Sequence, residues 1–172
     1  MVVDKALING LNFHARELAG RWKDKIRKSP QLKHYNSLDD IQLIEIDTTF
    51  YPLLARTLDR GLDRSLVGSF FVNMGKDRMR KNFPISEVIY ATNLAERTVI
   101  EYVMTNFIYD DPLKMYAAIG FISDISEFFI LGCFYLTKGF LEETYTHMNK
   151  HNVLSEDLLK QYFKDDFFFR KN

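Results

Sequence analysis

Apolar residues recur along much of the chain at steps of three and four, the period of a helix with one buried face. Leu7, Leu11, Ala15, Leu18, Trp22 and Ile26 mark one such face and predict a first helix from about Asp4 to Lys28. Ser29-Pro30 ends it, because the residue before a proline is pushed out of the α region. A polar link from Gln31 to Leu38 follows, and Ser37 or Asp39 can cap the next helix by accepting from a free N–H. That helix carries Ile41, Ile44, Tyr51, Leu54 and Leu58. Pro52 inside it predicts a kink or a split. Gly61 closes it, and Asp63 caps a third helix whose inner face reads as Leu66, Phe70, Met74 and Met79. Gly75 within that helix should weaken it by about 1 kcal/mol relative to alanine.

The sharpest punctuation is Asn82-Phe83-Pro84-Ile85-Ser86-Glu87, with Ser86 or Asn82 as the cap and Pro84 outside or just inside the first turn. The helix it opens continues through Val88, Ile89, Leu94, Val99, Ile100, Val103 and Phe107. Asp111-Pro112 then starts an apolar run to Lys150, about 60 Å long if unbroken. Gly120, Gly132 and Gly139 are the points where it could bend. A short capped helix from Ser155 to Phe168 follows, with Asp157 favouring its dipole. Its aromatic tail, Asp166-Phe167-Phe168-Phe169-Arg170, must dock on the body or on a partner. Strand signals are scarce, and no Asn-Gly or Asp-Gly hairpin turn stands between alternating apolar runs. The expectation is one all-α domain over residues 1–172, a bundle of five or six helices with a globin-like arrangement among its forms. Its longest helix lies in the C-terminal half, and residues 154–172 form a helical appendage.

Composition narrows this picture. A chain of 172 residues with 47% hydrophobic content can bury a core without staples. Lys plus Arg equals Asp plus Glu, 23 against 23, which argues against a nucleic-acid partner. Lys76, Arg78, Arg80 and Lys81 form the one dense basic run, read as a solvated helix end. Cys133 stands alone in an apolar stretch and reads as a small buried hydrophobe in a reducing cytoplasm. The N-terminus lacks the layout of a secretory leader. Ala117 to Leu141 raises the question of a membrane span, but its uncharged part, Phe128 to Thr137, is ten residues. About twenty are needed, and Asp124 and Glu127 near the centre are costly in lipid. A buried core helix and no membrane partner are expected.

Candidate chemistry is sparse. No two glycines stand in phosphate-loop spacing, and no catalytic set is visible. Glu143, His147 and His151 have the spacing of metal ligands on one helix face. They sit at a polar helix end without a second Glu-x-x-His helix, so they read as solvated and no metal is expected. Haem needs an axial histidine in an apolar pocket. His14 flanks the first helix's apolar stripe and His34 lies in a polar link, so no cofactor is expected. Asp124 and Glu127 are the most suggestive acids, interrupting the last long helix beside Ser123 and Ser126. They read either as one exposed stripe or, with Asn93 and Arg97 on the preceding helix, as a polar pocket or interface. Arg97 could pair with Asp124 or Glu127 if the two helices are antiparallel.

Two segments resemble a known family. Trp22-Lys23-Asp24-Lys25-Ile26-Arg27-Lys28-Ser29-Pro30 resembles the start of the helical N-terminal domain of RsbRD-type proteins. Phe83-Pro84-Ile85-Ser86-Glu87-Val88-Ile89-Tyr90-Ala91 resembles that family's opening of a hydrophobic residue followed by Pro-Leu-Ser-Glu. The likeness covers about residues 15–145, and Trp22, Phe83, Pro84, Ser86 and Glu87 are its structural motif. It implies a regulatory input domain of the kind that precedes stress-response antagonists and histidine kinase modules, without catalytic residues. No output domain follows, so the chain is expected either to be part of a longer protein or to act through protein partners. The resulting expectation is a cytoplasmic, non-enzymatic sensor domain, a homodimer whose long helix passes a signal by shifting or rotating. The competing expectation is a small-ligand or haem-binding globin-like bundle.

Overall fold

The computed structural model describes residues 5–107 and 112–151, together with Val153 and Ser155. The predicted Asp111 cap, most of the Ser155–Phe168 helix and the aromatic tail lie outside the described residues. Eight α-helices and no strand occur among those described. They are α1 (Lys5–Phe13), α2 (Ala15–Arg27), α3 (Lys33–Asn36), α4 (Asp40–Thr48), α5 (Tyr51–Arg60), α6 (Arg64–Arg80), α7 (Ile85–Phe107) and α8 (Pro112–Lys150). The all-α bundle is the expected one, cut into more pieces than five or six.

Each extra piece has a local cause. The first predicted helix breaks at His14, where ψ moves to 13°. The break lets α1 pack on α5 while α2 turns its Leu18, Trp22 and Ile26 toward α4 and α7. The link after α2 is not wholly polar. Leu32 and Tyr35 are buried there and anchor the short α3. Arg27 binds the carbonyls of Asn36 and Leu38 and the carboxylate of Asp40, which ties that link down. Asp39, rather than Ser37, caps α4 in a reciprocal box with Gln42. Pro52 splits the next predicted helix rather than kinking it, since it falls in the first turn of α5, where its missing N–H costs nothing.

The described core is a layer of aromatic and aliphatic side chains between α8 and the rest. Phe71 meets Phe128 edge-on at 5.4 Å, and Phe50 meets Phe129 at the same separation. Three inner faces differ from expectation. On α4 the buried positions are Leu43 and Asp47, while Ile41 is 68% exposed. On α6 they are Val67, Gly68, Phe71, Val72, Gly75 and Arg78. Leu66, Phe70, Met74 and Met79 are only partly covered, because α6 turns its Gly68–Phe71–Gly75 face toward α8. On α8 itself, Phe128 and Phe129 are buried but Phe134 is exposed.

The α6–α8 pair explains that choice. The two helices run parallel, with Arg64 beside Glu127 at one end and Arg80 doubly bonded to Glu143 at the other. A Cβ on Gly75 would lie 2.1 Å from the Leu136 carbonyl oxygen, and one on Gly139 would lie 2.1 Å from that of Val72. Gly132 and Gly68 sit against the rings of Phe71 and Tyr135. The glycines thus bring two backbones into direct contact, and α8 remains one continuous helix across Gly120, Gly132 and Gly139. By length and hydropathy the Ala118–Lys150 stretch could cross a membrane, and a third of its most apolar window is buried.

Candidate functional site

The most unusual chemistry in the described interior lies where α3, α4, α5 and α6 converge. Asp47, near the end of α4, is 3% exposed. The chain breaks after Thr48 and restarts as α5, which brings Tyr51 back over α4, and its hydroxyl donates to Asp47 Oδ2 at 2.8 Å. Burial pushes the Asp47 carboxyl up to about 7, and the Tyr51 hydrogen bond only partly opposes it. Burial and the adjacent acid push the Tyr51 phenol upward as well.

Arg78 approaches the same region from the last turn of α6 and is 6% exposed. The helix end fixes it. Asn82 takes the left-handed conformation at φ 59°, its N–H bonds Met79, and the Phe83 N–H reaches back to the Arg78 carbonyl. This is a Schellman ending. Its side-chain contact is the Arg78 guanidinium over the Phe83 ring at 5.5 Å. Arg78 Nη1 donates to Asp77 at 2.7 Å, whereas Nε is buried with no hydrogen-bond partner. Asn82 therefore closes α6 and does not cap α7. Ser86 is exposed, and the Glu87 and Val88 N–H groups bond the Pro84 carbonyl.

Asp47 and Arg78 both line a small interior cavity of about 30 Å³, shared with Trp22, Tyr35, Thr92 and Phe129. That volume admits a water-sized guest. On the outer side, Arg78, Ile46 and Met74 also floor a surface groove of about 410 Å³ between α4 and α6. Glu45, Asp77 and Lys81 stand around it. Neither lining includes a histidine. A wider groove of about 540 Å³ between α1 and α5 has polar walls, but every charged side chain on it is exposed.

The residues singled out from sequence fall elsewhere. Arg97 pairs with Glu101 on its own helix at 2.9 Å and not with Asp124 or Glu127. α7 and α8 are antiparallel as required, but they meet through Ser126 donating to Glu96 and the Cys133 thiol to Asn93. Asp124 is exposed, and Glu127 is exposed beside Arg64. Asn93 does reach α8, but at Cys133 and not at Asp124 or Glu127. Trp22 and Glu87 are structural bolts: the indole N–H donates to the Ala91 carbonyl at 2.8 Å, and the buried Glu87 accepts from the His34 backbone N–H at 2.9 Å. The basic run is a solvated end only in part, since Arg80 and Lys81 are exposed. Arg78 is interior, Lys76 pairs with Glu142 and Arg80 with Glu143. Glu143 is held by Arg80, and among the described residues no cluster of three metal-ligating side chains occurs. Cys133 is half-buried, and burial raises its thiol to about 11, which keeps it unreactive near neutrality.

Sequence reasoning passed over Asp47 and read Arg78 only as part of a solvated basic run. Each breaks an apolar stripe at a helical step, Leu43 to Asp47 and Phe71 to Arg78, and that interruption was the available signal. No family model, curated protein or solved structure matches this chain.

Proposed function

We propose that this chain is a non-catalytic input domain of a bacterial signalling pathway, cytoplasmic and acting through protein partners, as its resemblance to RsbRD-type N-terminal domains implies. The α4–α6 groove receives the signal and α8 presents it. One observation carries this reading: Gly75 and Gly139 put α6 and α8 in backbone contact. A packed pair of this kind moves as a unit, because direct backbone contact leaves little room to absorb a shift. Arg78 lies on α6 one turn beyond Gly75, so a guest that engages its free Nε pulls on the helix that carries α8.

Cys133 is a native reporter of the α7–α8 contact, through its bond to Asn93. The test compares wild type with Arg78→Met by the rate of Cys133 alkylation at alkaline pH, where the raised thiol begins to ionise, and by hydrogen exchange over residues 128–140. A change in both, at matched global stability, is the expected result. Exchange altered only around residues 74–81, with Cys133 unaffected, would refute transmission.

The competing small-ligand reading shares the groove, and the unpartnered Arg78 Nε favours it over haem: no histidine lines either space.

A further inference from the structure

The interior cavity beside Asp47 has a cation in its wall and no anion in that wall to match it. Arg78 is buried, and its Nε–H has no hydrogen-bond partner. Asp77, the carboxylate that Arg78 does bond, lines the outer groove and not the cavity. Asp47 lines the cavity, but burial keeps its carboxyl protonated up to about 7, so it brings a proton and not a charge. The Tyr35 hydroxyl stands beside the guanidinium and is a third donor. The other polar groups in the wall are satisfied: Trp22 donates to the Ala91 carbonyl and Thr92 to that of Val88. Buried donors without acceptors are costly, and a charged one most of all.

We propose that this cavity takes up one small monovalent anion of halide size, chloride foremost, held by the Arg78 Nε–H, the Tyr35 hydroxyl and the protonated Asp47 carboxyl. Size and charge both select it. A volume of about 30 Å³ admits a guest the size of a water molecule and excludes phosphate, sulfate and organic acids. One guanidinium balances one negative charge, whereas water would leave it unbalanced. Aromatic rings line much of the space, and the edges of such rings are positive. The way in is the α4–α6 groove, which shares Ile46, Met74 and Arg78 with the cavity. Met74 is only partly covered there, and its unbranched side chain can turn aside. The inference rests on the reading of that groove as the input site and names its guest.

Uptake is coupled to a proton. The groups that bear on Asp47 are Tyr51 from α5, Tyr35 from α3 and Arg78 from α6. From α2, α7 and α8 come Trp22, Thr92 and Phe129, which do not titrate. Glu87 of α7 bears on Tyr35 and is tied to His34. Both phenols are pushed upward, so Asp47 is the group that changes near neutrality. Once ionised it repels the anion, and affinity falls as pH rises past about 7.

The test uses Trp22, the chain's one tryptophan, which lines the cavity and is buried. Bromide is titrated into the whole chain at pH 6, with sodium sulfate holding the ionic strength. Quenching of Trp22 fluorescence should saturate, chloride should reverse it, and phosphate should not. Arg78→Met and Arg78→Lys, checked for folding by circular dichroism, should each weaken bromide at least about tenfold. Between pH 6 and pH 8 the wild-type affinity should fall about tenfold, and Asp47→Asn should bind without that fall. Quenching that rises linearly without saturation, or that persists unchanged in both Arg78 variants, would overturn the proposal. So would a wild-type affinity independent of pH. Hydrogen exchange over residues 128–140 at pH 6, with and without saturating chloride, separates this inference from the reading beneath it. Saturable binding with no change there leaves the anion site standing and removes its role as the input. Absence of binding removes the anion and leaves the groove to another guest.

Discussion

The Tyr51 hydroxyl donates to the Asp47 carboxyl across the break between α4 and α5, at 2.8 Å and out of contact with water. The pair holds two helices in register at the point where the chain turns. It also sets a pH dependence. The Asp47 carboxyl titrates at about 7 in the fold, against an ordinary value of 3.8. A raised carboxyl favours the protonated fold, so its contribution is complete below about 4 and is lost as pH rises to about 7. At about 1.4 kcal/mol per unit the loss approaches 4 kcal/mol. Asp47→Asn should therefore remove most of this fall, measured as the urea midpoint between pH 4 and pH 8. An unchanged profile would show that Asp47 is not the titrating group.

Gly75→Ala and Gly139→Ala should each destabilise by about 3 kcal/mol or more, since the added methyl meets a backbone carbonyl that cannot rotate away. Gly20→Ala is the contrast. Nothing lies within 4 Å of its Cβ position in α2, so alanine should stabilise by about 0.5–1 kcal/mol. Thermal unfolding of the three variants decides the matter; a stabilised Gly75→Ala would disprove the close α6–α8 approach.

This reverses the reading of Gly75 from sequence alone, and shows where such reading stops. Local signals located what local physics decides. Ser29-Pro30 ends α2, Asp39 and Asp63 cap α4 and α6, Gly61 ends α5 at φ 87°, and Pro112 opens a helix that reaches Lys150. Propensity treats a helical glycine as a defect, whereas tertiary contact makes Gly75 a docking point. The same limit applies to α6, where Leu66, Phe70 and Met74 marked a neighbouring face, because Gly68 and Gly75, on either side of Phe71, allow the closest approach. The Asp47–Arg78 cavity was illegible for a related cause. A buried charge is recognised by what surrounds it, and the lining here comes from six different helices.

Trp22→Phe should cost about 2–3 kcal/mol. The indole is 2% exposed, so the change loses its bond to the Ala91 carbonyl and leaves part of its volume unfilled. A loss below about 0.5 kcal/mol in chemical denaturation would mean that the bond does not fasten α2 to α7.

Arg78→Met is the most informative single change. Arg78 is buried, one of its nitrogens has no partner, and its bonded carboxylate, Asp77, is partly exposed. Removing such a charge in favour of an apolar chain of similar length relieves a desolvation cost, so the variant should be as stable as wild type or more so. Asp77→Ala, by contrast, strips the guanidinium of its carboxylate partner and should cost about 1–2 kcal/mol. Opposite signs for the two variants in urea titrations would show that Arg78 does not hold the fold together. An arginine that is costly to bury and not needed for folding is what a ligand-responsive groove requires. A large destabilisation by Arg78→Met would instead make it a structural bolt like Trp22, and the input site would have to lie elsewhere.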